Sequence, residues 1–281
     1  MPNTDPTRTR EDTTSMRRDS NPDFVESIAR GLDVIRTFDA EHQTMTLSEV
    51  AARADLPRPT ARRILTTLEV LGYVHRAEDR FMLSVRVLDL GSAYIGSRHI
   101  WEVVRPHLVD LVQEVRESCS IAQLDGSDIV YVARVAVPKL VTLSVTIGTR
   151  FPAFATSLGK VLLASLDKDE LDRVLATPTR SGITPRWQPG RRELDAELRG
   201  VRSRGYAVTD EQLALGIRSV ATAITDSDGR TVAAVNVNAS SAETELPVLT
   251  DHHLPLLQDA AAAISRDWMA WEDRPLLTVR D

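Results

Sequence analysis

Two α+β modules in tandem are the fold this chain predicts: an N-terminal winged helix-turn-helix, a linker helix, and a larger C-terminal α+β domain with an antiparallel sheet. Three observations carry the prediction. Residues 47–82 read as a helix, a tight turn, a second helix and a hairpin. Beyond residue 100, helical patterns mix with alternating strand-like runs joined by short turns. The length of 281 residues, 42% of them hydrophobic, suits two ordinary cores.

Residues 1–23 are rich in Thr, Arg, Asp, Asn and Pro and should be a disordered tail. Arg8, Arg10, Arg17 and Arg18 could touch DNA as an arm, but the five interleaved acids favour a plain solvated tail. The first helix spans residues 26–38, with Ile28, Leu32, Ile35 and Phe38 as its inner stripe. The second begins behind Thr46, with Glu49 three residues on as a capping-box partner, and turns Val50, Ala51 and Ala54 inward. Asp55-Leu56-Pro57 makes the turn. In the third helix Ala61, Ile64, Leu65, Leu68 and Leu71 share one face, and Gly72 ends it. Residues 73–76 and 80–83 form the two strands of a wing. Ser84 then caps a linker helix, 85–98. Its stripe of Val87, Leu88, Gly91, Tyr94 and Ile95 needs a partner, and a second copy of the chain suits it.

In the second module a long helix, 101–117, precedes strand-like runs at 120–124, 129–135 and 140–147. Helices follow at 157–165, 169–176 and 191–204. Residues 220–225 and 232–237 pair across Asp226-Ser227-Asp228-Gly229-Arg230 as a hairpin. Residues 244–271 close the domain as a helix. The expected divisions are a tail at 1–23, the winged helix at 24–84, the linker at 85–98, the second domain at 99–271 and a tail at 272–281.

The net charge of −6 argues against a uniformly basic coat. A local basic face stays possible, because phosphate contacts act within roughly 8–10 Å. Only Lys139, Lys160 and Lys168 are lysines, so arginine dominates the basic set and suits bidentate recognition. A single cysteine, Cys119, excludes intrachain disulfides and cysteine zinc sites; its apolar surroundings make it a small core side chain. No apolar run approaches the ~18 residues of a membrane span, and the N-terminus lacks a signal-peptide core. A soluble, cytoplasmic protein is expected. The six histidines show no H-x-x-x-H spacing, so neither a metal nor a catalytic site built on one is expected. His252-His253, near a helix start, should be exposed.

The third helix carries Arg58, Arg62 and Arg63 with no acid before Glu69. At about 100° per residue, Pro59, Arg62, Arg63 and Thr66 fall opposite the apolar face. A short helix buried on one side and basic on the other fits a DNA major groove. Arg58, Thr60, Arg62, Arg63 and Thr66 are therefore the expected contacts to double-stranded DNA.

The segment Ser27-Ile28-Ala29-Arg30-Gly31-Leu32-Asp33-Val34-Ile35 resembles the first helix of IclR-family transcriptional regulators. Leu65-Thr66-Thr67-Leu68-Glu69-Val70-Leu71-Gly72-Tyr73-Val74 is similar to the family's recognition-helix end and first wing strand. Further motifs match in the family's order: Ala155-Thr156-Ser157-Leu158-Gly159-Lys160-Val161-Leu162-Leu163-Ala164, then Arg204-Gly205-Tyr206, Asp210-Glu211 and Gly216-Ile217-Arg218-Ser219-Val220-Ala221. The first helix, from Asp23, looks closest to the PcaR/PcaU/PobR branch, which controls aromatic-acid breakdown through the β-ketoadipate pathway. The wing departs from the pattern. Its tip is Ala77-Glu78-Asp79-Arg80, and two acids there oppose deep insertion into a minor groove, leaving Arg76 and Arg80 to reach the backbone.

The resemblance implies an effector-binding second domain, a palindromic operator, and a homodimer or homotetramer that needs no cofactor. The effector implied is a small organic acid, aromatic or β-ketoadipate-like. Leu140, Leu143 and Phe151 would wall its pocket. Ser157 and Leu158 would offer helix N-terminal amides to the carboxylate, and Thr209, Asp210, Ser219, Asn236 and Asn238 polar groups. Arg150 or Arg218 could pair with the carboxylate. Asn236 and Asn238 alternate on one strand and so share a face. The competing reading is an acyl-transfer enzyme, because Ser157-Leu158-Gly159-Lys160 fits the S-x-x-K pattern. Its companion S-D-N and K-T-G motifs are missing.

Overall fold

A computed structural model describes residues 22–39, 41–91, 100–138 and 145–272. The chain divides into two compact units, 1–97 and 98–281.

The first unit starts with α1 (Glu26–Arg36). Strand β1 (Thr44–Thr46) runs directly into α2 (Leu47–Arg53). Its Thr46 side chain accepts from the Glu49 N–H at 3.4 Å while the Thr46 N–H donates to Glu49 Oε2 at 2.7 Å. This reciprocal box satisfies donors that a helix start otherwise leaves open. After the turn comes α3 (Arg58–Val70), with Pro59 in its first turn, where a missing N–H costs nothing. Gly72, at φ +81°, ends it. The Tyr73 N–H reaches back to the Leu68 carbonyl and the Gly72 N–H to that of Glu69, which closes the helix in a Schellman turn. Strands β2 (Val74–Ala77) and β3 (Arg80–Leu83) form the wing. β1 pairs with β3, a third strand that three residues of sequence did not reveal.

Val34, Phe38, Met45, Val50, Leu65, Leu68, Val74 and Phe81 build this unit's core. Part of the expected α1 stripe is elsewhere. Ile28 is 61% and Leu32 46% exposed, and Leu71 of the recognition-helix stripe is 50% exposed. Only the C-terminal half of α1 and the segment just after it seat in the core, through Val34 and Phe38. Ile28 and Leu32 instead line an open groove with Ile64 and Leu71. Residues 87–91 are helical, and 92–99 of the expected linker helix lie outside the described residues.

The second unit is a six-stranded antiparallel sheet between two helical layers. Its members in chain order are α4 (Ile100–Val115), β4 (Ser118–Asp125), β5 (Asp128–Val135), β6 (Arg150–Pro152), a 3-10 turn (Ala153–Ala155), α5 (Ser157–Ser165), α6 (Lys168–Leu175), α7 (Arg191–Arg204), β7 (Tyr206–Asp210), β8 (Ile217–Thr225), β9 (Thr231–Ser240), a π-helical turn (Val248–His253) and α8 (Leu254–Glu272). The strand order is β6-β5-β4-β9-β8-β7. Period-two alternation divides the side chains. Cys119, Ile121, Val235 and Val237 pack under α4 and α8, with Trp268 almost fully buried. Ala122, Tyr131, Ala221 and Ala234 face α5 and α7. Cys119 is buried, and that burial pushes its thiol far above the usual range.

Three expectations change here. The strand expected over 140–147 does not extend through its described part. Residues 145–149 turn, with the Thr149 N–H on the Thr146 carbonyl and Gly148 at φ +88°, and pairing begins only at Arg150. Residues 244–247 precede the closing helix, which opens with the π-helical turn. That wider turn shifts the helical phase, so His253 is buried beside Leu249 and Leu254 rather than exposed; His252 stays outside.

Candidate functional site

The basic face of α3 is built as its periodicity demands. Ala61 and Leu65 are fully buried and Leu68 nearly so, which turns Arg58, Arg62, Arg63 and Thr66 to solvent and leaves Thr60 half-buried. No acid pairs with Arg58, Arg62 or Arg63 among the described residues. Four other arginines of this unit are tied down, Arg53, Arg76, Arg80 and Arg86. Arg53 donates to the Thr37 carbonyl and to Asp39, and Arg86 to the Leu71 carbonyl. In the wing, Arg76 bonds the Glu78 carbonyl and lies over the Phe81 ring. Arg80 bonds Thr44 through Oγ1 and carbonyl, with Glu49 at 3.7 Å. Both wing arginines are exposed, yet their guanidinium groups are turned onto the protein.

A second candidate lies inside the larger unit, between the sheet and the start of α5. Tyr131, Phe151, Thr156, Thr209, Ser219 and Asn236 are among its lining residues, with Asn238. Register explains the convergence. Asn238 stands opposite Ser219, and Ser219 opposite Thr209, so three neighbouring strands present polar groups in one row. Ser219 Oγ is 2.8 Å from Thr209 Oγ1 and 2.7 Å from Ser157 Oγ. Asn236, 3% exposed, sits one row along, and its Oδ1 has no partner. Such an orphan in a buried position is costly. Tyr131 meets Phe151 edge to face at 5.7 Å; burial pushes its hydroxyl up to about 12. The cavity is only about 20 Å³, close to one water site.

Of the effector residues expected from sequence, Phe151, Thr209, Ser219, Asn236 and Asn238 meet here, with Ser157 linked through Ser219. The Leu158 side chain is fully buried in the core, and the group expected at the carboxylate is its backbone N–H, in the first turn of α5. Asp210 points to the opposite side, exposed, where Arg218 donates to it at 2.9 Å. Leu140 and Leu143 lie outside the described residues. Arg150 and Arg218 already hold protein acceptors: Arg150 pairs with Asp125, Arg218 with Asp210 and the Thr244 carbonyl. Tyr131 and Thr156 were missed. A bulge in the pairing after Ile121 breaks the simple alternation that would have oriented Tyr131.

Lys160 settles the S-x-x-K question geometrically. Its side chain is fully buried, bonds Gln212 Oε1 at 2.7 Å and Glu197 Oε1 at 3.2 Å, and lies 4.3 Å from the Trp187 ring centre. Ser157 bonds Ser219, not Lys160. Among the described residues no base bonds the serine, and the lysine is a packed structural cation. Among the described residues no cluster of His, Cys, Asp and Glu could hold a metal ion, and no helix is long and apolar enough to cross a membrane.

Comparison with known proteins bears on both candidates. Residues 27–78 match the IclR helix-turn-helix domain, and residues 92–266 the bacterial transcriptional regulator IclR C-terminal domain. The Pca regulon regulatory protein of Pseudomonas putida is 35% identical over 248 residues, 88% of this chain and 84% of that protein. The crystal structure of a transcriptional regulator from Rhodococcus sp. RHA1 is 47% identical, with a TM-score of 0.74 over 87% of this chain and 98% of that one. An IclR homologue from Microbacterium hydrocarbonoxydans, crystallised with 4-hydroxybenzoate, is 25% identical, with a TM-score of 0.70 over 86% of this chain and 98% of that one.

Proposed function

The chain belongs to the IclR family of bacterial transcriptional regulators, and from that premise we propose that it is a ligand-responsive regulator of aromatic-acid catabolism. It binds palindromic operator DNA in the cytoplasm as a homodimer or homotetramer. Arg58, Thr60, Arg62, Arg63 and Thr66 address the major groove, and Arg76 and Arg80 the flanking backbone. The observation that carries the DNA reading is the set of three exposed guanidinium groups on α3 with no acidic partner among the described residues, in a unit where Arg53, Arg76, Arg80 and Arg86 are bonded onto the protein.

The effector is a small organic acid held in the cavity of the second unit by Phe151, Thr209, Ser219, Asn236 and Asn238, with Ser157 behind Ser219. Two relatives support this class. One is a Pca regulon regulator, and the other was crystallised with 4-hydroxybenzoate. The cavity of about 20 Å³ must widen to admit a benzene ring. Binding therefore selects a second conformation, which is what regulation by a ligand requires.

The test is an electrophoretic shift on the intergenic DNA beside the gene, at several salt concentrations. The parent shifts it. Arg62→Ala and Arg63→Ala fold normally and bind more weakly. A lost base contact costs roughly 1–3 kcal/mol, and a lost phosphate contact flattens the salt dependence. Two variants that match the parent throughout refute the recognition face. Hydroxybenzoates, dihydroxybenzoates and β-ketoadipate, added in turn, identify the acid by raising the melting temperature and altering the shift.

A further inference from the structure

Resting on the effector reading above, we infer that Arg134 is the residue that takes the effector's carboxylate, with Ser120 beside it, and that the site therefore selects an anion over its neutral analogue. The register of the sheet brings the two into play. Ser120 of β4 stands opposite Arg134 of β5 on one side and opposite Asn236 of β9 on the other. Residues directly opposite in adjacent strands project to the same face. Arg134, Ser120 and Asn236 thus form one row, immediately beside the row of Asn238, Ser219 and Thr209 that lines the cavity. The guanidinium leans across the strand, with Nη1 donating to Ser120 Oγ at 3.0 Å.

That neutral hydroxyl is the acceptor Arg134 has, and the group carries five N–H donors. No acid pairs with it among the described residues. Arg150 and Arg218, the two arginines that sequence offered for this role, both have carboxylates of the protein already in hand. Arg134 is half-buried, and burial works against its charge. A carboxylate accepting from it would supply the missing counter-charge, and charge-assisted bonds of this kind are the strong ones. Asn236, next in the row, has the unpartnered Oδ1 and can read a polar substituent on the same ligand. Tyr131, on the same face of the sheet, brings the aromatic edge shared with Phe151. The set fits an aromatic carboxylic acid entering as its anion.

The experiment compares 4-hydroxybenzoate, 3,4-dihydroxybenzoate and β-ketoadipate, together with 4-hydroxybenzamide and 3,4-dihydroxybenzamide as neutral analogues, by calorimetry and thermal melting. The proteins are the full-length parent, Arg134→Gln and Arg134→Lys. The parent binds at least one acid and discriminates against the matching amide. Arg134→Gln, whose unliganded melting checks its fold, binds that acid roughly 10- to 100-fold more weakly and no longer separates acid from amide. Arg134→Lys keeps the charge and recovers part of the discrimination. A merely structural role would shift melting without changing the acid-to-amide ratio. If Arg134→Gln keeps the parent's affinity, or both variants keep its acid-to-amide ratio, the anchor is elsewhere and the inference falls while the effector reading stands. If no acid binds the parent, both fall.

Discussion

Replacing Gly159 with alanine tests a close backbone approach in the larger unit, the tightest at any of its described glycines. Gly159 is the third residue of α5, where alanine is ordinarily the better helix former by about 1 kcal/mol. Here an added Cβ would stand 2.1 Å from the Ala153 carbonyl oxygen and 2.3 Å from the Ala153 Cα. Real Cβ contacts essentially never fall below 3.0 Å. The obstacle is main chain and cannot swing away like a side-chain tip. It is also pinned, because the Ala153 N–H donates to the Ser127 carbonyl at 2.9 Å and the Ala153 carbonyl accepts from the Thr156 N–H at 3.2 Å. Overpacking of this sort costs about 1–3 kcal/mol, and a clash with main chain belongs at the upper end. Offset by the helix propensity, the net loss is about 2 kcal/mol. Gly31 is the matched control: it too is helical, and an added Cβ there meets nothing within 4 Å. Gly31→Ala should gain about 0.5–1 kcal/mol. Urea denaturation followed by circular dichroism measures both. The 3-10 turn leads into Thr156 at the cavity, so Gly159→Ala should also weaken the response to the effector. If Gly159→Ala is as stable as the parent, or gains as Gly31→Ala does, the close approach is refuted.

Further expectations follow from caps and buried pairs. Thr46→Ala removes the side-chain half of the capping box, leaving the backbone N–H of residue 46 on Glu49, and should cost the winged-helix unit about 1 kcal/mol, read as a lower urea midpoint; an unchanged midpoint refutes it. The Thr46 N–H and hydroxyl hold the Glu49 carboxyl below its ordinary value. The stability from this bond is present above the ordinary glutamate range and is lost as pH falls through the lowered value. Thr46→Ala removes the hydroxyl but keeps the backbone donor, the larger cause of the lowering, so it should shallow that acid limb in a pH series without abolishing it. Lys160→Met leaves Gln212 Oε1 without its donor, while Glu197 keeps Arg204 at 3.1 Å. The loss should be about 1–3 kcal/mol, and a variant as stable as the parent would show that the buried cation contributes nothing. Burial holds Lys160 below the ordinary lysine value. Between the two values the unfolded chain binds more protons, so parental stability should rise with pH through that alkaline window. Lys160→Met should lack the rise.

The sequence by itself determined whatever depends on neighbours within a helical turn or two. Helices α5 and α7 begin and end where their patterns place them, and Thr46 and Glu49 form the expected box. The arginine face of α3 follows from the 3.6-residue repeat alone, because a buried Ala61-Leu65-Leu68 stripe leaves Arg62 and Arg63 nowhere but outside. Tertiary structure decided what depends on residues far along the chain. Strand β1 is three residues long and exists because β3 accepts it. Ile28 and Leu32 have a helical stripe's spacing, but no core reaches them. His253 is inside because a π-helical turn changes the phase before α8. The site is the clearest case. Arg134, Arg150 and Arg218 all lie on strands of the sheet, and nothing local in the sequence ranks them. Asp125 and Asp128 lie against Arg150 and Asp210 against Arg218, whereas the register opposite Arg134 presents only a serine. A charge acquires its role from the partner that long-range pairing sets beside it, and local pattern carries no record of that partner.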